Sequence, residues 1–344
     1  MAQDEKLTRE RLSALWSDQS VPQLNTKDRK IVLFSDLHVG GGGKADDFRN
    51  NQGVFERALD HYRKNDFTVV LLGDIEELWQ FDLKEIVKKY DSGVYRRLRA
   101  FPKDRFYRVH GNHDAEWGTP DDPARQTDGG YVAATEALKL KDKKGQARIL
   151  LVHGHQGSSE SDKHSWASRF FVRLYRKIEP IIKVDPHSSA TKSQIAKDYE
   201  RILYRWAKKS RVILICGHSH RAIFASISYV EKLEEEIRQI QKVIFDNREN
   251  KPLVKKEMKK LEKVFAKKLH EETRNRGIVR VEPRGKPLPC YFNTGCGLYT
   301  DGLTAIEIED DEIRLVKWNR ELKRRDRKED FGKGSLSKFV NDIS

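Results

Sequence analysis

The chain has 344 residues, of which 37% are hydrophobic and 35% charged, and a formal net charge of +14. That apolar share can build one large domain or two small ones. No apolar run approaches the roughly 20 residues that a helix needs to cross a bilayer, which argues against a membrane-spanning helix, and the polar start MAQDEKLTRERL does not read as a signal sequence. A basic balance favours anionic partners such as phosphate esters, nucleic acid or an acidic membrane surface. The three cysteines, Cys216, Cys290 and Cys296, sit in apolar or glycine-rich stretches. So low and odd a count points to a reducing, cytoplasmic compartment, with peripheral membrane attachment still compatible.

Residues 1–29 read as a short polar helix and a linker. From residue 30, short apolar runs alternate with helical stretches. Ile31–Phe34, Thr68–Leu72, Phe106–Val109, Ile149–Val152 and Val212–Cys216 are predicted strands. Asn51–Asn65 and Leu83–Ala100 carry helical periodicity, and the alternation predicts an α/β domain over 30–318. Two insertions interrupt it. Residues 158–210 are polar, basic and aromatic, with 13 Lys and Arg against 5 Asp and Glu over 161–211. This segment reads as a helical cap, and about 8 of the chain's 14 net positive charges lie over 161–211. In 229–276, Val230, Leu233, Ile237, Ile240 and Ile244 recur at steps of three and four. Val254, Met258, Leu261, Phe265 and Leu269 repeat the pattern after a turn, so an antiparallel coiled-coil hairpin is expected. Strands return at Gly277–Val281, Pro289–Asn293, Leu303–Ile308 and Ile313–Trp318, and the basic tail 319–344 is expected to fray.

Each of the first five strands runs into a polar block: SDLH at 35–38, GD at 73–74, GNHD at 111–114, HGH at 153–155 and GHSH at 217–220. Ligands of α/β sheets bind beyond the carboxyl ends of strands. A single Asp-x-His or Gly-Asp is an ordinary loop, but five such blocks in order, each at a strand end, point to one metal site. In Asp36-x-His38 and His218-x-His220 the two-residue spacing puts both members on the same side of an extended strand end. Cleaving a phosphate ester calls for a nucleophile at an anionic centre. Two adjacent ions meet that need by binding phosphoryl oxygens and acidifying a shared water. Imidazole and carboxylate donors without thiolate suit Mn²⁺, with Zn²⁺, Fe²⁺ or Co²⁺ as alternatives, and disfavour a structural zinc site.

The five blocks resemble those of calcineurin-like metallophosphoesterases over roughly residues 30–225. The resemblance implies a four-layer α-β-β-α sandwich of two mixed sheets and two divalent ions. It implies Asp36, His38 and His220 on one ion, Asn112, His153 and His218 on the other, and Asp74 bridging. His113 resembles the family's proton donor to the leaving oxygen, with Asp114 orienting it; imidazole suits that role, since it titrates near neutrality. In HGH either His153 or His155 could be the ligand; His153 directly follows the strand and matches the family's ligand. His155 then lines the substrate pocket or is a hydrogen-bonded loop residue. His110 reads as structural, and Asp46 and Asp47 as parts of a flexible loop.

FSDLHVGG, GDIEELWQF, GHSHR and YFNTGCGLYTDGLTAIEIED together resemble a narrower branch, the UDP-2,3-diacylglucosamine hydrolases, which cleave a pyrophosphate beneath a helical cap. Segment 158–210 lies where that cap lies. Its Trp166, Phe170, Phe171, Leu174 and Tyr175 would line a groove, with Arg169, Arg173, Arg176 and Lys177 at the phosphates; the alternative is an amphipathic helix packed on the core. Those hydrolases carry arginine where this chain has His113, which widens the expected substrates to other diesters and pyrophosphates. The rival readings are a nuclease on the same fold, a phosphoprotein phosphatase, and an interaction protein organised by the hairpin. In each case the hairpin 229–276 is expected to mediate dimerisation or docking.

Overall fold

Alternation along the strands decides the architecture. Ile31 and Leu33 face one apolar cluster while Val32 and Phe34 face another. Val70 and Leu72 divide from Val69 and Leu71 in the same way. A strand whose two faces are both apolar must be covered on both sides. The computed structural model describes residues 2–114, 126–127, 130–131, 133–157, 190–228, 287–320 and 328–344, with Ile237, Gln241, Lys259, Glu262, Lys263, Ala266 and Lys267.

In chain order the elements are α1 (Ala2–Ser17), β1 (Gln23–Asn25), β2 (Lys30–Phe34), α2 (Gln52–Lys64) and β3 (Phe67–Leu72). Then follow α3 (Leu83–Tyr90), α4 (Arg96–Arg99), β4 (Phe106–Val109), β5 (Gln126–Thr127), β6 (Gly130–Tyr131), β7 (Ala134–Thr135), β8 (Ala137–Lys141) and β9 (Ala147–Val152). After these come α5 (Ala190–Ser210), β10 (Ile213–Cys216), β11 (Ala222–Phe224), β12 (Ile227–Ser228) and β13 (Tyr291–Thr294). The chain closes with β14 (Gly302–Glu309), β15 (Glu312–Asn319), β16 (Lys328–Ser335) and α6 (Leu336–Ile343). Among the described residues, one mixed sheet runs β1-β8-β9-β10-β13-β11-β12 and the other β16-β15-β14-β2-β3-β4-β7. The five strands expected ahead of the polar blocks are all present. β2, β3 and β4 are mutually parallel, as are β9, β10 and β13.

Helices cover the outer faces, giving the expected sandwich. On the second sheet, Val54, Phe55, Leu59 and Tyr62 of α2 and Ile86 and Tyr90 of α3 pack against Phe34, Leu71 and Phe106. On the first, α5 buries Leu203, Trp206 and Ala207, and α1 buries Leu12. Trp206 Nε1 donates to Ser13 Oγ at 3.0 Å, tying the two helices together. Residues 190–210 are thus a helix seated on the core, and the rest of the predicted cap, 158–189, lies outside the described residues. So do the strand predicted at Gly277–Val281 and most of the hairpin. Within the hairpin, Gln241 Nε2 donates to Glu262 Oε1 at 2.8 Å, across its two predicted arms.

Three local readings change. The linker after α1 contains β1, which pairs in parallel with β8. The helix predicted over 83–100 is interrupted by a π turn at Asp91–Tyr95. There a side chain on Gly93 would collide with Glu56 of α2, so the irregular turn lets two helices approach closely. The tail does not fray across 328–343. β16 pairs antiparallel along β15, and α6 buries Leu336, Val340 and Ile343 in the inter-sheet core. Ser335 caps α6 by accepting from Lys338 N at 3.1 Å. The basic composition hid an amphipathic element, because its cations occupy the outer face only. Phe331→Ala is expected to cost about 3–5 kcal/mol by denaturant unfolding; a frayed tail would show no change in midpoint.

Candidate metal centre

Each polar block turns sharply at the end of its strand. Asp36, His38, Asp74, His218 and His220 take φ of 52°, 47°, 53°, 67° and 56°. Left-handed backbone is uncommon for residues with a Cβ, and Asp and His tolerate it better than most. The turns are pinned from outside the loops. Asp36 N donates to Gly73 O at 3.0 Å, and His38 N donates to Asp74 O at 3.1 Å. The loops also approach so closely that a side chain on Gly111 would overlap Asp74, and one on Gly217 would overlap Asp36.

The ligand atoms of Asp36, His38 and His220 lie within 4.8 Å of one another, as do those of Asp74, His153 and His218. In the first group, His220 Nε2 is 3.2 Å from Asp36 Oδ1 and 3.2 Å from His38 Nε2. Asp36 is fully buried, and its two oxygens accept from His218 N at 3.0 and 2.9 Å. In the second, His153 Nδ1 donates to the Leu72 carbonyl at 2.9 Å, which leaves Nε2 as a lone pair. That Nε2 sits 3.0 Å from Asp74 Oδ2 without hydrogen-bond geometry. Asn112 Oδ1 is likewise buried with no hydrogen-bond partner. An orphaned acceptor beside a carboxylate, as at His153 Nε2, fits a cation, because a buried acceptor left without a donor is costly. The donor set is therefore suited to divalent ions. Asp74 Oδ2, 3.0 Å from His153 Nε2 and 3.9 Å from His38 Nε2, lies between the two groups.

The electrostatics agree. Burial pushes Asp74 upward, but His153 and His113 outweigh it and hold the carboxyl well below its usual range. Burial pulls His153 down, yet Asp74 and Asp36 hold it at about 9. Its neighbour His218 is pushed by burial, and then by the His153 charge, to about 3. The centre thus attracts positive charge, and with protons alone it places that charge on one histidine at the expense of the next.

His113 lies outside the Asp36 and Asp74 groups, and its donor atom forms a third such group with those of His38 and Glu77. Its Nδ1 lies 2.9 Å from Glu77 Oε1, while Glu77 Oε2 accepts from His38 Nδ1 at 2.8 Å. One carboxylate therefore steadies a ligand and the expected proton donor together. Burial raises Glu77, but hydrogen bonds from His113 and His38 bring it to about 2, so it stays ionised. Asp114 does not contact His113 in this way. Its oxygens accept from Gly111 N at 2.6 Å and Ile75 N at 2.8 Å, so it fixes the GNHD turn and the orienting contact comes from Glu77. Behind the turn, Arg108 pairs with Glu76 at 2.5 Å and approaches Asp114 at 4.0 Å, all three buried.

His155 is outside both ligand groups, its ring 5.5 Å from that of His153 and 6.4 Å from that of His218. His110 lies next to it, 6.2 Å away between ring centroids. Asp46 is buried and accepts from Gly42 N at 2.7 Å and Tyr90 Oη at 2.5 Å, so the glycine-rich loop is tied down rather than loose. Arg169 and Arg173 fall outside the described residues. Sequence reasoning missed Glu77, Trp79, Asn293 and Tyr299. Asn293 Nδ2 donates to Gly217 O at 2.5 Å, and Tyr299 Oη donates to His220 O at 2.7 Å, bracing the GHSH turn. Glu77 alone had a signal, as the second of two glutamates just after Asp74.

Two mixed sheets that bring such a donor set together at their strand ends define a metal-dependent phosphoester hydrolase, a class that typically holds two divalent metals. Residues 29–222, more than half of the chain, match the family model of the calcineurin-like phosphoesterases, and the chain belongs to that family. No curated protein matches it. No helix among the described residues is long and apolar enough to cross a membrane.

Proposed function

We propose that the chain hydrolyses a phosphodiester or pyrophosphate bond in an anionic lipid- or nucleotide-linked substrate, with His113 as the proton donor to the leaving oxygen. The supporting observation is the placement of His113 next to the Asp36 and Asp74 groups, in a third cluster with His38 and Glu77 where its Nδ1 is engaged by the carboxylate that also holds His38. That engagement leaves Nε2 to face a substrate. When bound, two divalent ions supply Lewis acidity towards phosphoryl oxygens and acidify water. Asp36, His38 and His220 would hold one, and Asn112, His153 and His218 the other, with Asp74 shared. The mixed imidazole and carboxylate donors favour Mn²⁺. Glu77 keeps the His38 and His113 rings in register, and Asp114 keeps the GNHD turn closed beneath them. His155, beside His153, and Arg169 and Arg173 of the basic segment are candidates to line the substrate pocket and meet a second phosphate.

The hairpin 229–276 is a candidate surface for a second copy or a protein partner, and the three buried free cysteines are compatible with a reducing cytoplasm. The protein with Mn²⁺ should be offered UDP-diacylglucosamine, other nucleotide diphosphate esters, single-stranded DNA and phosphomonoesters. Turnover of the diphosphate esters is expected. Preferred, strongly salt-sensitive cleavage of DNA would replace this reading by a nuclease, and activity on monoesters alone would sink it.

A further inference from the structure

We propose that Trp79 is a positioning residue that sets the plane of the His113 imidazole, and with it the direction in which the proton is delivered. The inference rests on the reading of His113 as proton donor. The indole lies nearly parallel to the imidazole, with ring centroids 3.9 Å apart and an interplanar angle of 18°. The single hydrogen bond from Nδ1 to Glu77 anchors one point of the His113 ring but leaves it free to turn about that point. The stacked indole removes this freedom. The edge of His38, 4.7 Å away at 85°, bounds the ring on another side.

Trp79 is itself held firmly. Its Nε1 donates at 2.9 Å to the carbonyl of Asn112, the residue before His113. The turn that carries it is closed by Gln80 N and Phe81 N donating to Glu77 O at 3.2 and 3.0 Å, and it is tied to the neighbouring loop by Glu77 N donating to Val39 O at 3.0 Å. One short segment therefore supplies Asp74, the Glu77 carboxylate and the indole wall, and fixes their spacing. A large aromatic residue is more often core than machinery. Trp79, however, belongs to neither apolar cluster among the described residues, whereas its neighbour Leu78 packs on the outer-face cluster. Its named contacts are the His113 ring and the Asn112 carbonyl.

As the phosphorus–oxygen bond to the leaving group breaks, its electron pair stays on that oxygen and takes the His113 proton. The attacking water gives its oxygen to phosphorus and its own proton to solvent. Such a transfer needs heavy atoms within about 2.6–3.2 Å, and a misplacement of about 1 Å can cost roughly 10²-fold. The demand is greatest for a leaving oxygen of high pKa, since a 4-nitrophenolate departs without help.

The test compares wild type, Trp79→Phe, Trp79→Leu, His113→Ala and the Trp79→Leu/His113→Ala double variant on a 4-nitrophenyl and an alkyl phosphodiester with Mn²⁺. Metal content and thermal melts are followed throughout. Trp79→Phe, which keeps a stacking ring, should stay close to wild type. Trp79→Leu should lose on the order of 10²-fold on the alkyl ester and little on the 4-nitrophenyl ester, and add nothing to His113→Ala. Equal losses on both esters, or a loss that adds fully to that of His113→Ala, would overturn the positioning role. A slow His113→Ala beside a full-rate Trp79→Leu would overturn it while leaving the proton donor intact. A full-rate His113→Ala removes both. Should the leucine variant melt early, Trp79→Met fills similar space without a ring plane and takes its place.

Discussion

Asp74→Ala is expected to release the ions of both groups and to lower turnover on the order of 10³-fold or more, as loss of several kcal/mol of transition-state charge stabilisation requires. The reason is position. Its Oδ2 lies 3.0 Å from His153 Nε2 and 3.9 Å from His38 Nε2, so one carboxylate serves two ligand groups. Its Oδ1 also accepts from His113 N at 2.8 Å, which ties Asp74 to the GNHD turn. Removing it leaves His38, His153, His218 and His220 gathered with one of the three local carboxylates, Asp36, Asp74 and Glu77, gone. Elemental analysis of the purified variant and its rate on an aryl phosphodiester with Mn²⁺ check the result. Wild-type metal content together with a wild-type rate would end the metal-centre reading.

His113→Ala should separate the two functions that Asp74 joins. Metal content should match wild type, because the His113 ring is bonded to Glu77, stacked on Trp79 and only edge-on to His38, and its donor atom is in neither the Asp36 nor the Asp74 group. The rate should fall about 10²–10⁴-fold, the usual contribution of a positioned acid. The loss should deepen as the leaving group becomes more basic. Loss of an ion would instead make His113 a ligand, and an unchanged rate would remove it from the chemistry.

Much of this centre was legible in the sequence, because its ligands follow strands and strands announce themselves by apolar runs. The choice of His153 over His155 also rested on strand adjacency, and it is the His153 donor atom that lies within 4.8 Å of those of Asp74 and His218. What the sequence hid depends on chain reversal. Asp114 follows His113 directly and so looked like its partner, but the tight GNHD turn sends its carboxylate back to the N–H groups of Gly111 and Ile75. Glu77 and Trp79 reach His113 because β3 and β4 are parallel neighbours, which sets the turns that follow them side by side. Asn293 and Tyr299 brace GHSH from more than 70 residues away, a pairing no local pattern reveals. The C-terminal strand and helix were masked by charges on their outer face.

The left-handed turns of Asp36, His38, Asp74, His218 and His220 have one more consequence. Backbone of this kind costs on the order of 1–3 kcal/mol per residue and persists only where the surroundings impose it. The ligand loops are therefore shapes imposed by the two sheets, not shapes their own sequences prefer. A peptide carrying any one block would relax to ordinary turns and scatter its donors. The smallest unit able to grip an ion is the closed sandwich itself, and grafting these blocks onto another scaffold would transfer the letters without the grip.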